Sequence, residues 1–124
     1  MKTPRITVIG SINMDLVTVA ENMPEQGETI SGDSFKTLPG GKGANQAVAA
    51  AGLGAEVHMI GKVGDDPFGD SLLNNFEAQG VETEAVDTES GVSTGLANII
   101  VSDHDNRIII IAGANGEEIG RAHV

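Results

Sequence analysis

Gly40-Gly41-Lys42-Gly43-Ala44-Asn45-Gln46-Ala47-Val48-Ala49-Ala50-Ala51-Gly52-Leu53-Gly54 carries a glycine-rich loop straight into an alanine-rich helix. From Gly43 onward, Ala44, Ala47, Val48 and Ala51 recur at helical spacing on one face. Such small side chains let a helix lie close against a sheet, and Gly52 or Gly54 ends it. Upstream, Ile6 to Ile9 is a short β-branched run closed by Gly10, and downstream Val57 to Ile60 is another. Runs this short and apolar suit strands buried on both faces of a parallel sheet. Asp66-Pro67 then offers an N-cap and a proline for the first helical position. Phe68, Leu72, Leu73 and Phe76 supply the apolar face of that second helix, and Gly80 ends it. Strand, helix, strand, helix in this order predicts a right-handed βαβ unit and an α/β fold.

The flanking segments read differently. Leu16 to Val19 is an extended candidate, closed by the turn-rich Glu21-Asn22-Met23-Pro24. Gly27 to Leu38 (GETISGDSFKTL) reads as a bent or bulged strand with one solvated face. Gly95 to Val101 and Arg107 to Ala112 are β-branched runs on either side of Ser102-Asp103-His104-Asp105-Asn106, the pattern of a hairpin. The α/β core is therefore expected to carry antiparallel excursions before its first helix and near its end.

Composition narrows the function. Of 124 residues, 40% are hydrophobic and 20% charged, which suits one globular domain. Seven basic against eighteen acidic side chains leave a formal net charge of −11, so nucleic acid and anionic membrane are not expected partners. No cysteine is present, which removes disulfides and thiolate metal sites and makes the cytoplasm the expected location. The apolar run behind Met1-Lys2-Thr3-Pro4-Arg5 is broken by Ser11, Asn13 and Asp15, so neither a signal peptide nor a membrane span is expected.

Two stretches could do chemistry. In the glycine loop, backbone N–H groups and the Lys42 ammonium could approach a ligand closely. A Walker A loop fails there, because Lys36 holds the place of its first glycine and Gly43 that of its Ser or Thr. A Rossmann fingerprint fails as well, because Gln46 stands at its last glycine and no buried strand leads in. The plain alternative is a glycine-rich turn that only admits the chain to a helix. The second stretch is Gly10-Ser11-Ile12-Asn13-Met14-Asp15, where parallel α/β sheets collect ligands. In an extended chain Asn13 and Asp15 point to the same side, and an amide beside a carboxylate can hold hydroxyl groups of a neutral polyol. Satisfying local turn backbone is the competing role for both.

Together these residues resemble the N-terminal signature of the ribokinase-like sugar kinases. The resemblance rests on Gly40-Gly41-Lys42-Gly43-Ala44-Asn45-Gln46-Ala47 with Gly54 and Gly64 after it. Gly10 to Asp15, Pro24-x-x-Gly27-Glu28-Thr29, Gly64-Asp65-Asp66-x-x-Gly69, Ser93-Thr94-Gly95 and Ala112-Gly113-Ala114-Asn115 also match, in order. Within the family the likeness is nearer to the ribose kinases than to the fructose or adenosine kinases, with a related sugar such as fructose as the alternative.

The resemblance implies an incomplete Rossmann-like three-layer α/β core with an antiparallel β lid, its strands at about 15–38 and 94–112. It implies that Asn13 and Asp15 bind sugar hydroxyls, that Gly41, Lys42 and Asn45 close from the other side, and that Ala97 and Ile99 pack over the sugar. It further implies ATP, Mg²⁺ and a monovalent cation such as K⁺ as cofactors, D-ribose as substrate, and a homodimer formed through the lid.

The Gly-Ala-Gly-Asp tetrapeptide that carries the family's base and anion hole does not occur in this sequence. The expectation is thus a sugar-binding part, residues 1–117, that is not a competent kinase alone. After Asn115 the likeness stops, and Glu118-Ile119-Gly120-Arg121-Ala122-His123-Val124 is expected to be a non-native tail from a translated sequencing adapter. Competing readings are a non-catalytic ribose-binding or dimerisation module and, more remotely, a nucleotide-binding domain of another class. His58, His104 and His123 share no metal-ligand spacing and are expected in a strand, a turn and the tail. Asp103-x-Asp105 starts like a calcium loop, but Arg107 takes the next ligand's place. Asp65 and Asp66 are expected as turn and N-cap residues, and Glu82, Glu84, Asp87 and Glu89 as a solvated face.

Overall fold

A computed structural model describes residues 2–117, so the tail expectation lies outside the described residues. Among the described residues, two four-stranded sheets pack with two helices of more than one turn. In the first sheet β1 (Arg5–Ile9) runs parallel to β4 (Glu56–Gly64), which also pairs in parallel with the short strands β5 (Val81–Glu82) and β6 (Val86–Glu89). Helix α1 (Lys42–Gly52) and helix α2 (Pro67–Ala78) lie between these strands in sequence, as the βαβ pattern predicts.

Alternation along β4 explains the core. Val57, Met59 and Val63 are fully buried and meet Ala44 and Ala47 of α1 and Leu72 and Phe76 of α2. Ala44 and Ala47 have no bulk to hold the helix away, so α1 packs against both β1 and β4. Phe76 and Leu72 are each 2% exposed, and burial of side chains this size contributes about 1.5–3 kcal/mol apiece. Gly54 and Gly80 adopt positive φ (98° and 82°) just past the helix ends, where a side chain would be strained. Asp66 caps α2 by accepting from the Gly69 N–H at 2.9 Å.

In the second sheet the order is β3–β2–β7–β8. Strand β2 (Asn13–Val19) pairs antiparallel with β3 (Ser34–Gly40), and β7 (Gly95–Ser102) antiparallel with β8 (Asp105–Ile111). The two excursions fuse along a parallel seam, Asn13–Val19 against Gly95–Val101, so the lid is a mixed sheet and not purely antiparallel. The chain from β3 through α1, β4, α2, β5 and β6 connects β2 to β7, which supplies the long crossover that parallel pairing needs.

Two further expectations are corrected. The strand predicted from Gly27 is confined to Ser34–Gly40, because Gly27 sits at φ 80° in a turn closed by the Glu28 N–H to the Glu25 C=O. Both faces of β3 are exposed up to Pro39, as befits an edge strand. The five-residue turn predicted between β7 and β8 shrinks to Asp103-His104, both at positive φ, which is the two-residue geometry that matches strand twist. No helix among the described residues is long and apolar enough to cross a membrane.

Candidate functional site

β1 ends at Gly10, whose N–H donates to the Ile60 C=O, and the chain then crosses from the first sheet to the second. At this crossing the backbones of Gly10 and Gly43 touch. A Cβ on Gly43 would lie 2.7 Å from the Gly10 Cα, and one on Gly10 would lie 2.9 Å from the Gly43 Cα. No other residue pair permits that approach, and it brings the start of α1 against the start of β2. Ser11 consolidates the contact, its C=O accepting from the Ala44 N–H at 3.1 Å. Gly41, the N-cap of α1, sits at φ 95°, and any Cβ there would lie 2.6 Å from the Ser11 oxygen.

The result is a cleft of about 350 Å³ lined by Ser11, Asn13, Gly41, Lys42, Asn45, Ile110, Ala112 and Asn115. Four of the seven residues singled out in the sequence therefore meet at one place: Asn13, Gly41, Lys42 and Asn45. Asn13 comes from β2, the other three from the loop and first turn of α1, with Lys42 and Asn45 exposed to solvent. Asp15, Ala97 and Ile99 do not line this cleft. The register puts Asp15 beside Ala97 and Val17 beside Ile99, on the sheet face that Asn13 shares. Ile110, which does line the cleft, pairs with Ala97, so this group begins where the cleft wall ends.

Electrostatically the two polar β2 residues differ. Burial raises the Asp15 carboxyl above the usual carboxylate range. Gly40 keeps space for it, since a Cβ at that position would lie 2.6 Å from Asp15 Oδ2. Asn13 is tied instead, its Oδ1 accepting from Asn115 Nδ2 at 2.6 Å.

Ser11, Ile110, Ala112 and Asn115 were missed as site residues. Asn115 lies just past the end of the expected lid strand, outside the second sheet, and grips the core crossover. The Ala114 N–H donates to the Ser93 C=O, and the Asn115 side chain bonds the backbone of Ile12. Ala112-Gly113-Ala114-Asn115 signalled importance in the sequence, but a contact across 103 residues leaves no local trace.

At the root of the lid stands a second polar knot. Thr94 is fully buried, its hydroxyl donating to Asp66 Oδ1 at 2.6 Å and accepting from the Gly64 N–H at 2.9 Å. The Thr94 N–H donates to Asp66 Oδ2 at 2.9 Å. Burial works to raise the Asp66 carboxyl, but hydrogen bonds from Thr94, Gly69 and Phe68 outweigh it and hold the group below its ordinary range. Asp66 is thus an N-cap that also anchors β7.

Glu89 departs from expectation too. Glu82, Glu84 and Asp87 are exposed, but Glu89 is half-buried and pairs with the buried Lys62 at 3.1 Å. Among the described residues no group of three or more His, Asp or Glu side chains could hold a metal ion.

Residues 3–123 match the model of the pfkB family carbohydrate kinases. A ribokinase of Bacillus subtilis is 52% identical over 112 residues, covering 90% of this chain and 38% of that protein. A deoxyribokinase of Salmonella typhi is 48% identical over 122 residues, covering 94% of this chain and 40% of that protein. Among solved structures, Arabidopsis thaliana ribokinase complexed with ribose and ATP superposes with a TM-score of 0.83 at 37% identity, over 93% of this chain and 38% of that one. The chain therefore spans about two fifths of the length of these relatives. Motif order, fold and cleft agree with a single conclusion: the chain belongs to the pfkB family of carbohydrate kinases.

Proposed function

We propose that this chain supplies the sugar-holding side of an ATP-dependent kinase that phosphorylates D-ribose on its 5-hydroxyl. The observation that carries the reading is the convergence of Asn13 with Gly41, Lys42 and Asn45 around one cleft, Asp15 following on the same face. In this reading Asn13 and Asp15 take the ribose hydroxyls, because a carboxylate accepts from two hydroxyls at once while an amide supplies donors. Gly41 brings backbone close to the sugar ring, and Lys42 and Asn45 close over it from the helix side. Ala97 and Ile99 form apolar cover with Ile110, and such cover excludes water from phosphoryl transfer.

Nucleotide and metal fit the described residues less well. ATP, Mg²⁺ and K⁺ are implied by the family, yet the described residues hold no metal-binding cluster and the sequence no Gly-Ala-Gly-Asp. These residues bind and orient the sugar, and the proton of its hydroxyl leaves through groups outside this set. Homodimerisation through the second sheet is part of the same proposal, supported by the exposed apolar side chains of β3 and β8.

The test is a chimera in which residues 3–117 replace the matching segment of the Bacillus subtilis ribokinase, assayed beside the 124-residue chain. The chimera is expected to convert D-ribose and ATP to ribose 5-phosphate, and the chain alone to show no turnover. The Salmonella relative makes 2-deoxyribose the second sugar to try, with fructose as the third. A folded chimera inactive on D-ribose overturns the reading.

A further inference from the structure

Asn115 sits 8% exposed between the end of β8 and the entry to β2, where its amide makes three hydrogen bonds. Oδ1 accepts from the Ile12 N–H at 2.9 Å. Nδ2 donates to the Ile12 C=O at 3.1 Å and to Asn13 Oδ1 at 2.6 Å. The Ile12 backbone settles which way this amide points, because an N–H can only donate and a C=O only accept. With Oδ1 committed to the N–H, the nitrogen must face Asn13. Asn13 must then answer with its oxygen, leaving its own NH₂ for the cleft that both residues line. No hydrogen-bond partner for the Asn13 NH₂ stands among the described residues. The arrangement also leaves no room at Gly95, where a Cβ would lie 2.6 Å from Asn13 Oδ1.

We infer that Asn115 is a positioning residue that fixes the polarity of the Asn13 amide, so that the sugar meets a donor at position 13 and an acceptor at Asp15. This inference rests on the proposed sugar site and adds a specificity rule to it. The hydroxyl oxygen at Asn13 must be free to accept, while the hydroxyls at Asp15 donate. A ligand that only donates at both places is discriminated against. The same three bonds join the exit of β8 to the entry of β2, so the second sheet's far hairpin and the sugar donor are set by one side chain.

Two near-isosteric variants test it. Asn13→Asp keeps an oxygen for Asn115 and therefore the latch, but removes the donor. In the chimera it is expected to raise the ribose KM at least about tenfold with the ATP KM unchanged and the melting temperature within a few degrees of the parent. Asn115→Asp removes both donated bonds and is expected to raise the ribose KM similarly, again without moving the ATP KM. A variant Asn13→Asp with unaltered ribose KM overturns the inference, as would equal losses in ribose and ATP KM for Asn115→Asp.

A sugar-free measurement separates this from failure of the functional reading. In ¹⁵N spectra of the 124-residue chain, or of the chimera if the chain alone is unfolded, the Asn115 amide protons should exchange slowly and those of Asn13 rapidly. Asn13→Asp should leave the Asn115 pair protected. The reverse pattern of protection overturns the inference whatever sugar is bound; an inactive chimera with the expected pattern overturns only the ribose reading.

Discussion

The two sheets are built from similar residues and used in opposite ways. In the first, Val57, Met59 and Val63 of β4 are wholly buried under α1 and α2. In the second, Ile108, Ile109, Ile110 and Ile111 of β8 are between 44% and 68% exposed, with Phe35 and Leu38 of β3 likewise open. Strand β4 spends its apolar surface on folding, while β1, expected to be buried on both faces, leaves Ile6 39% and Ile9 61% exposed, and β3 and β8 of the second sheet keep much of theirs open. Packing therefore weighs most at β4 and at the inner strands β2 and β7, which bury Met14, Val17 and Ala97, and least at the outer strand β8. Substitutions should divide along that line.

The contact itself should show the largest effect. Gly43→Ala forces a methyl group to within 2.7 Å of backbone that cannot rotate away, so α1 must shift from the first sheet. Overpacking of this sort typically costs 1–3 kcal/mol. Because Gly41, Lys42 and Asn45 move with the helix, sugar affinity should fall further than stability does. Chemical denaturation paired with ribose kinetics on the chimera checks this, and an alanine variant with native stability and KM would show the approach to be incidental.

Next comes the root of the lid. Thr94→Val preserves shape but strips Asp66 of a hydroxyl donor and leaves the buried Gly64 N–H without an acceptor. An unsatisfied buried donor costs about 1–3 kcal/mol. The pH dependence follows from Asp66, whose folded pKa lies below its unfolded value near 3.9. A depressed carboxylate contributes stability that is fully present above the unfolded pKa and is lost as pH falls through the folded one. Wild-type melting temperature should therefore drop below about pH 4, and Asp66→Asn should flatten that limb. Asp15 behaves oppositely in binding: its raised pKa means that ribose affinity should decline in mild acid before ordinary carboxylates titrate.

These two regions were also unequally legible. The first sheet declared itself because its rules are local. Alanines at helical spacing gave α1, Asp66-Pro67 gave the start of α2, and short apolar runs gave β1 and β4. Missed there were β5 and β6, two and four residues long, whose acidic side chains hide the fact that their backbones pair with β4. The second sheet depends on pairing across the chain. Its hairpin could be read from turn chemistry, but the parallel seam between β2 and β7 could not, since nothing in either strand names the other. The site divides likewise. Asn13 and the Gly41 to Asn45 loop carry chemistry in their residue types, whereas Asn115 acquires its role only from where β8 delivers it.

Within the first sheet lies the Lys62–Glu89 pair, which joins β4 to β6 and tests whether polar groups there follow the packing rule of β4. The Lys62 side chain is 8% exposed and Glu89 shields its charge at 3.1 Å. Removing one partner of a buried pair costs more than replacing both. Glu89→Ala is expected to destabilise by about 2 kcal/mol, while the double variant Lys62→Met with Glu89→Ala should recover most of that loss. Urea titration of the single and double variants checks it, and an unrecovered double variant would mean that the pair itself, and not its desolvated charge, holds β6 to β4.

The smallest effect on stability is expected at Ile109, 65% exposed in the middle of β8. Ile109→Thr keeps β-branching, so strand propensity is nearly unchanged and the folded chain should lose less than about 0.5 kcal/mol. Ile109 and Ile111 occupy one face of the strand, and Ile108 and Ile110 the face of the cleft. If the outer face serves self-association, Ile109→Thr should lower the apparent mass in sedimentation at fixed concentration while leaving the ribose KM alone. Ile110→Thr should do the reverse, weakening ribose binding with the oligomeric state kept. A shared response to both substitutions would mean that the two faces of β8 are not separate, and that cover for the sugar and contact with a second copy are one surface.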